Sequence, residues 1–329
     1  MAKISSNHLS LTWLLRGRPA RSSGFTLTEL LIAVVVGGII VSTMLYLVVE
    51  LLQINRREEV LTQTQQDMRR ALDYIARDAG EAVYIYSTPA AVTAELSDFP
   101  KESTRREAVL AFWRLDPLDP SSQGVKALFK KDCSTEFTTV ADRGECNTLK
   151  IRQGYYTLVV YAKETNTKND IWGGKSRIVR YELPKYTSGG IANLTKTPGY
   201  DEPTGTFPNG TPKRFDLWKR TGNTTGNVVV LTDYVDDSTA NVTNDCPSGY
   251  AKTPATTDNF YVCVQQNTSR PSDLDRRLTN NSNQTLIVFL RGNADTQGSG
   301  ITTFSSTGQL PTLKSEVLIR GVLDKQPGL

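Results

Sequence analysis

The feature that most limits what this chain can fold into is the stretch 30–49, twenty residues without a charge or a proline. At 1.5 Å rise per residue, a helix of that length spans about 30 Å, the thickness of a bilayer's hydrocarbon core. The sequence therefore predicts a helix that can cross a membrane, and everything else has to be arranged around it.

The N-terminal edge of this stretch separates it from an ordinary anchor. It reads Gly24-Phe25-Thr26-Leu27-Thr28-Glu29-Leu30-Leu31, with a single carboxylate placed where the apolar run begins. Thr26 to Glu29 fits the S/T-x-x-E capping box, in which the side chains only satisfy the first amides of a helix. A carboxylate at the edge of hydrocarbon also needs a positive partner. The octapeptide resembles the processing signature of type IV prepilins and the related pseudopilins. That resemblance implies cleavage by a prepilin peptidase between Gly24 and Phe25, N-methylation of Phe25, and pairing of Glu29 with the free amine of a neighbouring subunit's Phe25. A glycine before the cut fits this role, because it lets the backbone extend and approach a protease cleft closely.

Residues 1–24 are read as the leader. A secretory signal has its apolar region before the cleavage site, whereas here the long apolar run follows it. Lys3, Arg16, Arg18 and Arg21 precede Phe25 and no acid does, so these four account for the whole excess of 38 basic over 34 acidic side chains. Basic flanks stay in the cytoplasm, which places residues after Glu50 on the outer, periplasmic side. The expected location is a bacterial inner membrane, then a pilus on the cell surface.

Four cysteines, Cys133, Cys146, Cys246 and Cys263, all fall on that outer side. Export to an oxidising compartment favours disulfides, and of the three connectivities the sequence-local one is expected, Cys133 with Cys146 and Cys246 with Cys263, each closing a short polar loop. The sole histidine is His8, inside the leader. A mature chain without histidine has no Ser-His or Cys-His nucleophile pair and lacks the commonest transition-metal ligand. No enzyme is expected, and no cofactor or metal.

Past the membrane stretch the pattern becomes amphipathic without a break. Val60, Leu61, Met68, Leu72, Ile75, Ala79 and Val83 recur at helical spacing. Asp67 with Arg70, Arg69 with Asp73 and Asp73 with Arg77 support the wet face. No proline occurs from Arg21 through Thr88, so one helix is expected from Thr26 to Gly80, on the order of 80 Å long. Such a helix is a second mark of the prepilin class, and residues 68–82 resemble the same helix half in PilW-type minor pilins and the J-type minor pseudopilin. Major pilins carry a helix-bending proline in the membrane half; this chain has Gly37-Gly38 there.

Three regions are thus expected: leader 1–24, long helix within 25–88 (membrane half 30–49, amphipathic half 50–80), and a β-rich head over 89–329. Strands are expected at 108–115, 149–152, 156–162, 177–183, 228–234, 261–264, 286–290 and 317–322, forming an antiparallel sheet. The polar stretch 184–227 is expected to be surface loop. Asp233, Asp236, Asp237, Asn244 and Asp245 form an oxygen-rich cluster without the ligand order of an EF-hand, so a solvated loop is preferred to a calcium site. Lys213, Arg214, Lys219 and Arg220 lack the aromatic ladder of a nucleic-acid surface and read as a solvated face.

The fold class is α+β, pilin-like. The function implied is a minor type IV pilin-like subunit acting in filament initiation or at the tip, whose partners are other pilins, the prepilin peptidase and the inner-membrane assembly machinery. A type II secretion minor pseudopilin is the alternative within the class. Outside it, the alternative is a single-pass anchored binding protein, which would need neither the Gly24-Phe25 step nor Glu29.

Overall fold

A computed structural model describes residues 24–99, 105–167, 169–207, 210–238, 246–265, 284–294 and 310–319. The expected leader, apart from Gly24, lies outside them. The chain divides into two compact units, Met1–Glu58 and Glu59–Leu329. One helix, α1 (Leu27–Gly80), runs through both. In the first unit, from Leu27 to Ile54, every large apolar side chain is exposed within the chain. This is the one described helix long and apolar enough to cross a membrane.

In the second unit the remaining part of α1 is amphipathic. Met68, Ala71, Leu72, Ile75 and Ala79 are buried. Val60, expected on this face, is exposed, and Thr64 is the buried residue nearest to it. Val83, also expected on the helix face, belongs to strand β1 (Ala82–Ile85), because the helix ends at Gly80.

The head carries two antiparallel sheets rather than one. The first has the order β1-β2-β3-β4-β5, with β2 (Arg106–Pro117), β3 (Gly154–Thr165), β4 (Ser176–Pro184) and β5 (Asn227–Val235). The second has the order β6-β7-β8-β9, with β6 (Tyr250–Thr253), β7 (Phe260–Gln265), β8 (Gln284–Leu290) and β9 (Leu313–Ile319). The helix face, Leu110 and Phe112 of β2, Val159 and Tyr161 of β3, and Val262, Val288 and Val317 of the second sheet share one core. The alternate residues of the first sheet, among them Ala111, Trp113, Leu158, Val160 and Tyr181, form a second core on its other face. Burial on both faces explains why β2 to β4 read as nearly continuous apolar runs.

Two expectations fail here. Residues 149–152 are not a strand but the last turn of helix α5 (Val140–Arg152). Thr139 caps the start of α5 by accepting from the Asp142 amide, and Gln153 ends it in the left-handed conformation. The alternating Leu-Lys-Ile-Arg is too short to tell a strand from a helix end. With α3 (Gln123–Lys130) and α4 (Cys133–Glu136), α5 fills the connection between β2 and β3 and has its own small core of Leu118, Leu128, Cys146 and Leu149. Nor is 184–227 only surface loop. Tyr186, Ile191 and Leu194 join that small core, and Tyr200 and Trp218 join the second core, beside Trp113.

Candidate functional site

Gly24, Phe25 and Thr26 precede α1 and are exposed, Phe25 at 79%. The helix starts where it does because Thr26 supplies acceptors to its first amides. Its carbonyl accepts from the amides of Glu29 (3.0 Å) and Leu30 (3.2 Å), and its hydroxyl lies 3.4 Å from the Glu29 amide. This is one half of a capping box. The other half is not closed: the Glu29 carboxylate meets the Thr26 hydroxyl at 3.4 Å instead of the Thr26 amide. Among the described residues no cation pairs with Glu29. An exposed acid thus stands at the first turn of an exposed apolar helix, where the helix dipole also favours a negative charge. Farther along, Gly37 and Gly38 continue the helix, and apart from their chain neighbours and the helix's own backbone no atom lies within 4 Å of where a Cβ would stand on either. Within this chain they leave a bare strip of backbone.

A second carboxylate of the same helix, Asp78, is missed by sequence reading. It sits at the head end of α1 and is buried. Its Oδ2 accepts from Arg180 Nε at 2.8 Å and from the Tyr161 hydroxyl at 2.5 Å, while Arg114 pairs with Oδ1. Burial by itself raises the carboxyl pKa; the bonds from Arg180 and Tyr161 and the two guanidinium charges outweigh it and hold Asp78 below the usual carboxylate range. The only sequence signal is an acid falling on the apolar side of the helix, seven residues after Ala71 and three after Ile75. This cluster ties the helix to β2, β3 and β4.

The other candidate residues of the head are engaged internally. Cys133 is bonded to Cys146 (Cα–Cα 5.7 Å), joining α4 to α5, and Cys246 to Cys263 of β7 (Cα–Cα 5.5 Å). Asp233 accepts from Asn166 Nδ2 (2.8 Å) and the Gly174 amide (2.9 Å). Asp236 is fully buried and accepts from Arg291 (2.8 Å) and Asn293 (2.9 Å). Asp237 lies 3.8 Å from Lys175, and Asn244 and Asp245 fall outside the described residues. The three described members therefore do not form one ligand set, and among the described residues no group of three or more metal-ligating side chains exists. Lys213 is bound to Asp201 (2.7 Å) and Arg214 to Asp216 (2.5 Å), so two members of the basic cluster are neutralised locally.

Residues 19–45 match the family model of the prokaryotic N-terminal methylation motif. The matched stretch holds Gly24, Phe25, Glu29 and most of the apolar run. It supports a prepilin of the type IV pilin or pseudopilin kind, processed by a prepilin peptidase and assembled into pilus or secretion machinery. Together with the apolar helix it supports a membrane-anchored chain; the family that carries this motif is a structural one. Searches of curated proteins and of solved structures gave no match.

Proposed function

We propose that this chain is a minor subunit of a type IV pilus-like filament, inserted in the inner membrane with its head on the periplasmic side. The peptidase cuts after Gly24, Phe25 becomes the methylated first residue, and Glu29 then pairs with the Phe25 amine of an adjacent subunit as the filament grows. The observation that carries this reading is the state of Glu29, which stands one helical turn from Phe25, exposed, with no cation pairing with it among the described residues of its own chain. In hydrocarbon a lone carboxylate is costly, so drawing an amine from a second subunit is both an attraction and a registration device.

Three features favour a minor over a bulk role. The head over 89–329 is large and rich in long connections, which would crowd a lattice built from it alone. The membrane half has Gly37-Gly38 where major pilins carry a bending proline. Residues 68–82 resemble minor subunits. Quantitative mass spectrometry of sheared filaments tests the reading: a few copies per filament against a great excess of a smaller pilin are expected, and abundance near that of the dominant pilin would refute it.

A further inference from the structure

Among the described strands the two sheets of the head have four edges, and three of them are guarded. β1 is four residues long, and its register with β2 shifts between Ala82 and Tyr84. β6 is also four residues long, carries Lys252 and runs into Pro254. β9 places exposed Lys314 and Glu316 along its length. Short strands, bulges, prolines and charges are the devices that keep a sheet edge from pairing with another chain. β5 has none of them over residues 227–230. No charge and no proline occurs over 221–232, and the irregularities in its pairing with β4 begin only at Val230. Asn227, Val228 and Val229 are exposed, the two valines at 43% and 61%.

The outer side of β5 is closed only at its far end. There the Asn293 amide donates to the Tyr234 carbonyl (2.8 Å) and the Asp236 amide donates to the Arg291 carbonyl (3.0 Å). Over 227–230 the only described backbone that bonds to β5 is that of β4. This open half is held in place. Asp98, in the loop after α2 (Pro89–Thr93), accepts from the Gly226 amide (2.5 Å), the Tyr181 hydroxyl (2.8 Å) and the Thr224 hydroxyl. A strand fixed in advance loses little freedom when another is laid along it. Val228 lies opposite Tyr181, on the side of the second core, and Val229 opposite Arg180, on the side of α1. An added strand would therefore meet an apolar side chain on each face of the sheet.

We propose that residues 227–230 are a docking edge that accepts, by strand addition, an extended uncharged segment of a different membrane-anchored chain. Main-chain hydrogen bonds supply the attachment, and β-branched or aromatic side chains at successive positions match Val228 and Val229. A second copy does not fit. A closed pairing of two identical edges is antiparallel, about a two-fold axis normal to the sheet. Because Met68, Leu72, Ile75 and Ala79 lay α1 along one face of that sheet, the rotation would run the two helices in opposite directions, which two chains anchored in one membrane by that helix cannot do. An added strand of about six residues is only about 20 Å long and gives less than the ~1,000 Å² that a free-standing interface needs. A partner held in the same membrane makes up the difference through its effective concentration. The inference rests on the membrane-anchored reading above, in which that partner is another subunit of the filament.

The test places the photo-crosslinking residue p-benzoylphenylalanine in the full chain in cells, as Val229→p-benzoylphenylalanine, with Leu318→p-benzoylphenylalanine on the guarded edge of β9, also 60% exposed, as the control. Irradiation should link position 229 to a different polypeptide, well above the Leu318 level, and the linked peptide should be an uncharged run. Adding Val228→Lys, which guards the edge at an exposed position, should lower the adduct about tenfold while the Cys133–Cys146 and Cys246–Cys263 pairs still form. No adduct above the Leu318 level, an adduct within the same chain or with a second copy of it, a linked peptide that carries charges, or an adduct unchanged by Val228→Lys would overturn the inference. Incorporation into filaments, measured on the same cells, separates it from the filament reading: the expected adduct in membranes without incorporation keeps the docking edge and refutes the filament role.

Discussion

Glu29 and Asp78 lie on the same helix and have opposite fates. Asp78, in the head unit, has two guanidiniums and a phenol built around it by three strands. Glu29, in the N-terminal unit, has a threonine hydroxyl at the limit of hydrogen bonding. The contrast extends to their surroundings: the apolar side chains near Asp78 are buried by the chain itself, while those after Glu29 are all exposed within it. A region satisfied from within serves stability; a region left unsatisfied is built for something outside the chain. Changes in the head should therefore cost folding, and changes at the N-terminal edge should cost assembly.

The largest effect on folding is expected at Asp78. Asp78→Ala takes the buried carboxylate from Arg180, Arg114 and Tyr161 but leaves Glu182 to Arg180 (2.6 Å) and Asp116 to Arg114 (2.5 Å), so the cost falls at the low end of the range for breaking a buried pair, about 3 kcal/mol. Denaturant unfolding of the detergent-solubilised chain measures it; a loss within experimental error would mean that the cluster is not what fixes the helix to the sheet. Next comes the disulfide between α4 and α5. Replacing both Cys133 and Cys146 with Ser should lower stability by about 2–4 kcal/mol, read in the same assay, and non-reducing peptide mapping should recover the Cys133–Cys146 and Cys246–Cys263 peptides as linked pairs.

Acid sharpens the comparison further. The folded Asp78 pKa lies below its unfolded value, so its contribution is fully present above the unfolded carboxylate pKa near ~4 and is lost as pH falls through the lower folded value. Thermal unfolding followed downward from pH 6 should show a falling limb that is shallower in Asp78→Asn; identical limbs would assign the acid sensitivity to other carboxylates. The smallest effect on stability is expected at Glu29. Glu29→Ala removes one weak contact with the Thr26 hydroxyl and a negative charge favoured by the helix dipole, about 1 kcal/mol at most, yet should cut incorporation into filaments sharply at equal precursor levels. Normal incorporation would make capping a sufficient account of this residue.

The same contrast explains what the sequence could reveal. The apolar stretch, the methylation motif and the helix ending at Gly80 are local patterns, readable from neighbours in the chain. Most strands were legible too, since β-branched and aromatic runs between turn residues mark them. The place of Val83 was not: it keeps the helical spacing although the helix has already ended at Gly80. Likewise, residues 149–152 alternate like a strand, and only the cap at Thr139 and the bond from Cys146 to Cys133 show them to be helix. Tyr200 and Trp218 reach the core from a stretch with no periodicity, through contacts with Trp113 far away in sequence. Asp78 follows Arg77 like any surface charge pair and betrays its burial only by the side of the helix on which it falls.

The central claim is that the chain is matured at the Gly24-Phe25 step and that its N-terminal edge works through the end so created. Mass spectrometry of the N-terminal peptide from the membrane form tests it most directly, with Gly24→Val as the variant in which maturation should stop. The account predicts a chain beginning at N-methylated Phe25 in the wild type and an uncut precursor in Gly24→Val. Residues 1–24 still attached to wild-type protein in assembled filaments would contradict it.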